Sequence, residues 1–319
     1  MDRRAKILGP VDPATARGLE IGPLDKPLVR RDEGESVWYA DYTDTVSLKA
    51  HYTEHQHVYH DHDPAKFVDV DFVLSDGPLR ELAKDVAPFD YVIASHVIEH
   101  IPDLVAWFDD LSSVLVPGGR VCLAIPDRRY CFDARRASTE LADVVAAHLE
   151  QRTRPSPRAF FDFAWSFAPV DGPSAWRGDL SDDVLEHVAD VYRRVRDSMH
   201  EDADYQDVHV WAFSPQNLET ILNALGAIEL TDLRIEHLTE TEPGGNEFYA
   251  RLVRRERTSP VGPIVFGIAN AELQQAQAER EALREELARS RHDHSRLRHP
   301  VRSARHLAGR LRRLWGRRS

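Results

Sequence analysis

FDYVIASHVIEHIPDLVAWFDDLSSVLVPGGRVCLAIPD, residues 89–127, decides how the chain folds. Its run Tyr91-Val92-Ile93-Ala94 is too short for a helix and too continuous for a sheet with one wet face, so it predicts a strand buried on both sides. Pro102 suits the first turn of a helix. Leu104, Val105, Phe108, Leu111, Val114 and Leu115 then recur at three- and four-residue intervals until Pro117-Gly118-Gly119 stops them. Val121 to Ile125 supplies a second buried strand. Strand, helix and parallel strand make a right-handed crossover, and open α/β sheets bind ligands beyond the carboxyl ends of their strands. Ser95, His96, Glu99 and His100 stand at such an end.

Toward the N-terminus, Gly18-Leu19-Glu20-Ile21-Gly22-Pro23 reads as a short strand whose acid and glycine mark a turn where backbone approaches a ligand. Ser36 to Ala40 predicts a second strand ending at Asp41. An acid there suits ribose hydroxyls, and it suits equally a turn that leads through Asp44 into a capped helix. Lys66 to Leu74 predicts a third strand followed by Asp76-Gly77, and Leu79, Leu82 and Ala83 a helix returning to the central strand. Between the second and third strands lies HYTEHQHVYHDHD, residues 51–63. Its imidazoles fall on several sides of a helix or loop and form no tetrahedral set, which predicts a solvated lid near the substrate mouth. Residues 1–17 carry charge and two prolines and predict a flexible arm with a short turn.

Toward the C-terminus the parallel pattern breaks, and residues 128–210 read as a helical cap inserted in the sheet domain. They include the aromatic patch Phe160, Phe161, Phe163, Trp165 and Phe167, which suits ordinary core packing and also the stacking of sugar rings. Pro215 to Leu225 predicts a helix ending at Gly226. Ala227 to Glu236 and Asn246 to Arg254 predict an antiparallel hairpin through Glu242-Pro243-Gly244-Gly245. The sheet domain so defined spans 18–255, with a linker over 256–267. Over 268–298, Leu273, Ala276, Leu283, Leu287 and Leu297 share a heptad seam with Arg280, Ser290 and His294, a coiled-coil-like helix with a weakened seam. It suggests pairing with a second copy or with a partner protein. In 299–319, Val301, Ala304, Ala308, Leu311 and Trp315 form one stripe of a basic helix, a pattern of membrane-surface or partner-docking segments.

Of 319 residues, 42% are hydrophobic and 29% charged, a balance that permits a sizeable globular core. The net charge is −12, and the last segment holds seven arginines without an acid, so the rest of the chain stands at −19. An acidic body argues against a nucleic-acid partner. No apolar run approaches the length that spans a bilayer and the N-terminus lacks a signal-peptide apolar region, which predicts a cytoplasmic protein with peripheral contact at the inner face of the membrane through its tail. Cys122 and Cys131 alone support neither a disulfide framework nor a thiolate zinc site.

The Glu-Ile-Gly-Pro turn, Asp41, Asp76, FDYVIASHVIEHI and LSSVLVPGGRVCLAIPD, taken in that order, resemble the class I S-adenosylmethionine-dependent methyltransferases from about Arg17 to Arg254. The resemblance implies a Rossmann-like seven-stranded sheet, mostly parallel, with S-adenosylmethionine as cofactor. It places Glu20, Gly22 and Pro23 at the methionine end, Asp41 at the ribose, Asp76 at the adenine, and Ser95 and His96 beside the transferable methyl. This chain departs from the family turn, since Gly22 is followed by Pro23-Leu24-Asp25-Lys26-Pro27 instead of further glycines, and the usual first helix has little room. The wording of ASHVIEHIPDL and AIPDRRYCFD is similar to bacterial methyltransferases found with glycosyltransferases of surface-polysaccharide assembly. That implies an O-methyltransferase acting on a sugar hydroxyl of a glycan or nucleotide-sugar, with a glycosyltransferase as partner. A small-molecule or quinone O-methyltransferase, and a non-catalytic scaffold of the same fold, are the alternatives.

Methyl transfer to a hydroxyl needs the proton removed as oxygen attacks, by a base or with a metal that lowers the hydroxyl's pKa. His96, Glu99 and His100 have an H-x-x-E-H spacing that puts them on one face of a helical turn. This is similar to the E-x-x-E-H of small-RNA 2′-O-methyltransferases and ubiquinone-pathway O-methyltransferases, which bind a divalent ion there and have a further histidine before the last core helix. His209 stands at the corresponding place. Glu99, His100 and His209 are then metal-ligand candidates, His96 and His209 candidate bases, while Glu99 and His100 could instead cap the helix.

Overall fold

The computed structural model describes residues 2–33, 36–57, 59–180, 187–200 and 206–264. Seven strands, β1 (Gly18–Ile21), β2 (Val37–Asp41), β3 (Phe72–Val73), β4 (Phe89–Ser95), β5 (Leu115–Pro126), β6 (Leu233–Thr239) and β7 (Glu247–Arg254), form one sheet in the order β3-β2-β1-β4-β5-β7-β6. The first five pair in parallel, and β7 runs antiparallel between β5 and β6. This is the mostly parallel, Rossmann-like α/β sheet expected from the sequence, with the antiparallel C-terminal pair.

The central strand is buried on both faces because it divides two cores. Val92 and Ala94 point into a large cluster with Leu19, Leu104, Phe108, Leu111, Leu123 and Leu222. Tyr91 and Ile93 point into a smaller one with Ile7, Leu8, Val29, Tyr39 and Cys122. Around the first cluster lie α3 (Leu79–Leu82), α4 (Leu104–Ser113) and α9 (Pro215–Ala227), and α5 (Leu141–Leu149) adds Val144 and Ala147. Among the described residues between β1 and β2 there is only a 3-10 turn at Arg31–Glu33, in keeping with the short spacing after Gly22. The second face is therefore covered by α1 (Arg3–Leu8), capped by Asp2 through the amide of Ala5. Burying Ile7 and Leu8 contributes roughly 1.5–3 kcal/mol each. The expected flexible arm contains a helix, and Ile7 and Leu8 on it are buried in this second core.

Other boundaries differ for local reasons. The helix of the opening stretch starts after Asp103, whose side chain caps the amide of Ala106 at 3.0 Å, and Pro102 lies outside it. β5 begins at Leu115 and runs through the glycines: Phe89 pairs with Leu115 but Tyr91 with Arg120, so the extra residues are accommodated as an irregularity around Gly118 at φ 79°. The third strand shrinks to two residues because Asp71 turns its carboxylate to the Tyr39 amide (2.8 Å) and to Arg31. β6 starts six residues later than expected, since α9 continues to Ala227 and closes through left-handed Glu229, with the Leu230 amide reaching Leu225 O at 2.9 Å.

Within the insertion lie α5, α6 (Pro157–Ser166), α7 (Gly172–Arg177) and α8 (Val188–Asp197). Phe160 packs with Val191, Val195 and Val208 in a core of its own. The histidine-rich stretch begins in α2 (Thr45–Glu54) and continues as turns. Residues 256–264 are held on the domain, with Arg257 on Asp109 at 2.6 Å and Asn223 on Pro263 O at 3.1 Å. The coiled-coil and basic-tail readings of 268–298 and 299–319 lie outside the described residues. Among the described residues no helix is long and apolar enough to cross a membrane.

Candidate active site

Strand register brings three chain segments level. Ile21 pairs with Ala40 on one side and Ala94 on the other, so Gly22, Asp41 and Ser95 follow as a row along the carboxyl edge. The strand order also reverses here, β1 leading outward to β2 and β4 leading to β5, which is where such sheets open a crevice for ligands. Gly22 has φ 70°, and a Cβ on it would stand 3.1 Å from Val97 Cγ2, so both backbone and space call for glycine. Pro23 beside it is buried.

The predicted edge residues do different things. Glu20 is buried and accepts the amides of Leu28 (2.8 Å) and Val29 (3.1 Å), which folds the loop after Gly22 back on the sheet. Burial pushes its carboxyl up to about 7 in spite of those two bonds. Asp41 sits half-buried at the strand tip, accepts the Tyr42 amide at 2.7 Å and is pushed up to about 6 by burial. Capping of α2 falls to Asp44, through the amides of Val46 and Ser47. Asp76 ends an exposed 3-10 turn past β3. Ser95 Oγ accepts Arg3 Nη2 at 2.7 Å, and the same guanidinium holds Glu247 at 2.7 and 2.9 Å.

His96, in a left-handed conformation at φ 55°, places Nε2 2.8 Å from Glu247 Oε2. Burial works against the Glu247 charge, but His96 and Arg3 outweigh it and hold the carboxyl well below the usual range. Arg3 and Glu247 carry no pattern in the sequence; α1 and β7 bring them together only once the second face is covered.

A few ångströms deeper, Glu99 is almost wholly buried, and neither carboxylate oxygen has a hydrogen-bond partner. Its Oε1 lies 3.7 Å from His96 Nδ1, 3.9 Å from His100 Nε2 and 3.9 Å from His209 Nε2, all beyond hydrogen-bonding range. One ligand atom each from Glu99, His100 and His209 falls within 4.8 Å of the others. Such a carboxyl ordinarily finds a donor, and an orphaned carboxylate facing two imidazole nitrogens is a donor set that would suit a divalent cation.

The outer groups complete the pocket. His209 Nδ1 lies 2.6 Å from Asp133 Oδ2, and Arg136 holds the other oxygen at 2.9 Å. Burial opposes the Asp133 charge, yet His209 and Arg136 keep its carboxyl below the ordinary value. His100 Nδ1 lies 2.8 Å from Asp207 Oδ1. Burial lowers this imidazole, but Asp207 and Glu99 prevail and raise it to about 9. Phe132 and Phe163 pack on His209 at ring distances of 4.7 and 5.6 Å, so part of the aromatic patch walls the pocket. Asp133 closes the stretch AIPDRRYCFD and Asp207 precedes His209 by two residues, but acids at those spacings carry no signal until the chain returns on itself.

The histidine-rich segment gathers Tyr52, Tyr59, His62 and Phe67, with Tyr52 4.5 Å from Tyr59 and 5.0 Å from Phe67 between ring centres. Burial and the negative charge of Asp207 both raise the Tyr52 and Tyr59 hydroxyls. Asp25 binds His62 Nδ1 at 2.7 Å and Lys26 reaches Asp61 O at 2.6 Å, joining it to the loop after Gly22. In the insertion, a cleft of about 370 Å³ is lined by Ser138, Thr139, Asp143, Ser156, Arg158 and Trp211, with Arg136 between it and His209.

A mostly parallel sheet with this strand order, an acid-glycine turn on its first strand and an acid at the tip of its second, is a Rossmann-like fold. The model of the family described as methyltransferase domain matches residues 1–227. The chain belongs to that family and is an S-adenosylmethionine-dependent methyltransferase. No curated protein matches it. Similar solved structures include one described as a zinc-dependent alcohol dehydrogenase from Rhodobacter sphaeroides, at 16% identity over 79% of this chain and 89% of that one, TM-score 0.40. Another is an S-adenosylmethionine-dependent methyltransferase from Mesorhizobium loti, at 12% identity over 76% and 94%, TM-score 0.33. A third is the plantazolicin methyltransferase BpumL solved with SAH, at 8% identity over 76% and 77%, TM-score 0.36.

Proposed function

We propose that the enzyme moves a methyl group from S-adenosylmethionine to a hydroxyl, with a divalent cation held by Glu99, His100 and His209. The observation that carries this is the buried Glu99 carboxyl without a donor, with the Nε2 atoms of two imidazoles each 3.9 Å from its Oε1. Glu99, His100 and His209 would hold the cation, which would supply Lewis acidity that lowers the pKa of an acceptor hydroxyl. Two imidazoles to one carboxylate favour manganese, iron, cobalt or zinc over magnesium. On the cofactor side, Gly22 lets the backbone approach, Asp41 accepts from the ribose, Asp76 lies toward the adenine, and Ser95 and His96 border the methyl group.

Chelator followed by readdition of single divalent ions tests the assignment, with turnover lost and restored while S-adenosylmethionine binding is retained. Full activity in chelator, with a rate rising through an imidazole pKa, would move the chemistry to a second reading. In that reading His96 is the general base, held by Glu247 at 2.8 Å on the open side of the pocket.

The acceptor in this reading is a sugar hydroxyl of a surface polysaccharide or its precursor. Hydroxyls and acid-arginine pairs lining the cleft of the insertion support it, since they offer donors and acceptors matched to a polyol. Mass-spectrometric comparison of surface glycan from wild-type and deletion strains checks it; an unaltered glycan with altered quinone methylation would replace the sugar by a small molecule.

A further inference from the structure

An imidazole offers two nitrogens, and which one faces a ligand is set by what the other is bonded to. Both rings of this pocket are turned the same way. Asp133 stands at Nδ1 of His209 and Asp207 at Nδ1 of His100, and both Nε2 atoms lie 3.9 Å from Glu99 Oε1. We propose that Asp133 and Asp207 are positioning residues for the ion at Glu99, His100 and His209: Asp133 accepts a hydrogen bond from Nδ1–H of His209, and Asp207 is the ionic partner at Nδ1 of His100, so that each Nε2 lone pair faces the ion. The inference rests on the metal reading given above. A carboxylate behind an imidazole also strengthens it as a ligand.

The two carboxylates are unequal. Asp133 is buried, its second oxygen accepts Arg136, and that guanidinium also donates to His209 O at 2.9 Å and to Asp162 at 2.8 Å. The ring it holds packs against both Phe132 and Phe163. Asp207 is half exposed. His209 is thus the fixed ligand and His100 the one that can adjust, and the two acids differ in how much binding depends on them.

Titration of Co²⁺ into the metal-free full chain, followed by calorimetry and by visible absorption, tests this. Asp133→Asn is expected to weaken Co²⁺ binding roughly 10–100-fold and to change the spectrum, and Asp207→Asn to weaken it by less, up to about tenfold. Thermal melts of the metal-free variants show whether they fold; should Asp133→Asn not fold, Asp207→Asn decides alone. Wild-type affinity and an unchanged spectrum in the folded variants would overturn the proposal while leaving the metal site intact. A wild-type chain that binds no Co²⁺ would overturn the metal reading and this inference with it.

Discussion

The edge formed by Gly22, Asp41 and Ser95 and the pocket around Glu99 meet at one turn of chain, Ser95 to His100, yet they are built by different physics. The edge is a matter of register: three parallel strands end level, and backbone pairing fixes the positions of the residues just beyond them. The pocket is a matter of side chains drawn from three places, the turn after β4, the segment after β5 that carries Asp133, and the end of the insertion with Asp207 and His209. Cofactor binding should therefore survive changes that abolish the chemistry, and the reverse should hold for the edge.

The sharpest break of this division is Glu99→Ala. Turnover should fall roughly 10²–10⁴-fold while S-adenosylmethionine affinity, measured by calorimetry, stays near the wild-type value. Equal loss of both would mean that pocket and edge form one site.

Next in size is the pH dependence of the cofactor-free protein. Unfolded chain releases the Glu20 proton at its ordinary 4.5, whereas the folded chain keeps it to about 7. Between those values the folded state binds more protons, so stability falls as pH rises, by about 3 kcal/mol over the window. Denaturant titrations at pH 4.5 and 7.5 should show this fall, and Glu20→Gln, which keeps one of the two amide bonds, should flatten it.

A smaller effect is expected at the edge itself. Asp41→Ala should weaken S-adenosylmethionine binding about 10–100-fold, the range for a hydrogen bond to a charged group, without changing Co²⁺ binding at the pocket. Unchanged cofactor affinity in a folded variant would remove Asp41 from the ribose.

Smallest is Arg3→Ala. It removes the clamp on Glu247 and Ser95 from a partly exposed guanidinium, and a loss of about 1 kcal/mol in denaturant unfolding is expected. Deleting residues 2–8 should cost more, because Ile7 and Leu8 leave the second core as well. Equal stability of the deletion and of Arg3→Ala would show that α1 adds nothing by burial.

Local patterns were sufficient for the parallel core. A continuous apolar run at Tyr91–Ala94, helical periodicity from Leu104, and glycine at position 22 all reflect interactions within a few residues or burial of a whole face, and such constraints are written into residue order. The H-x-x-E-H spacing and His209 were legible for the same reason, as neighbours on a turn or at the mouth of a helix. What residue order does not carry is pairing across the fold. Arg3 meets Glu247 because α1 packs on the second face of the sheet beside β7, and Asp133 meets His209 because the insertion returns beside β5. The third strand yields to Asp71 for a similar reason, its carboxylate answering an amide of β2. Polar partners that satisfy buried groups are selected by three-dimensional proximity and desolvation, so they were decided only when the chain had closed on itself.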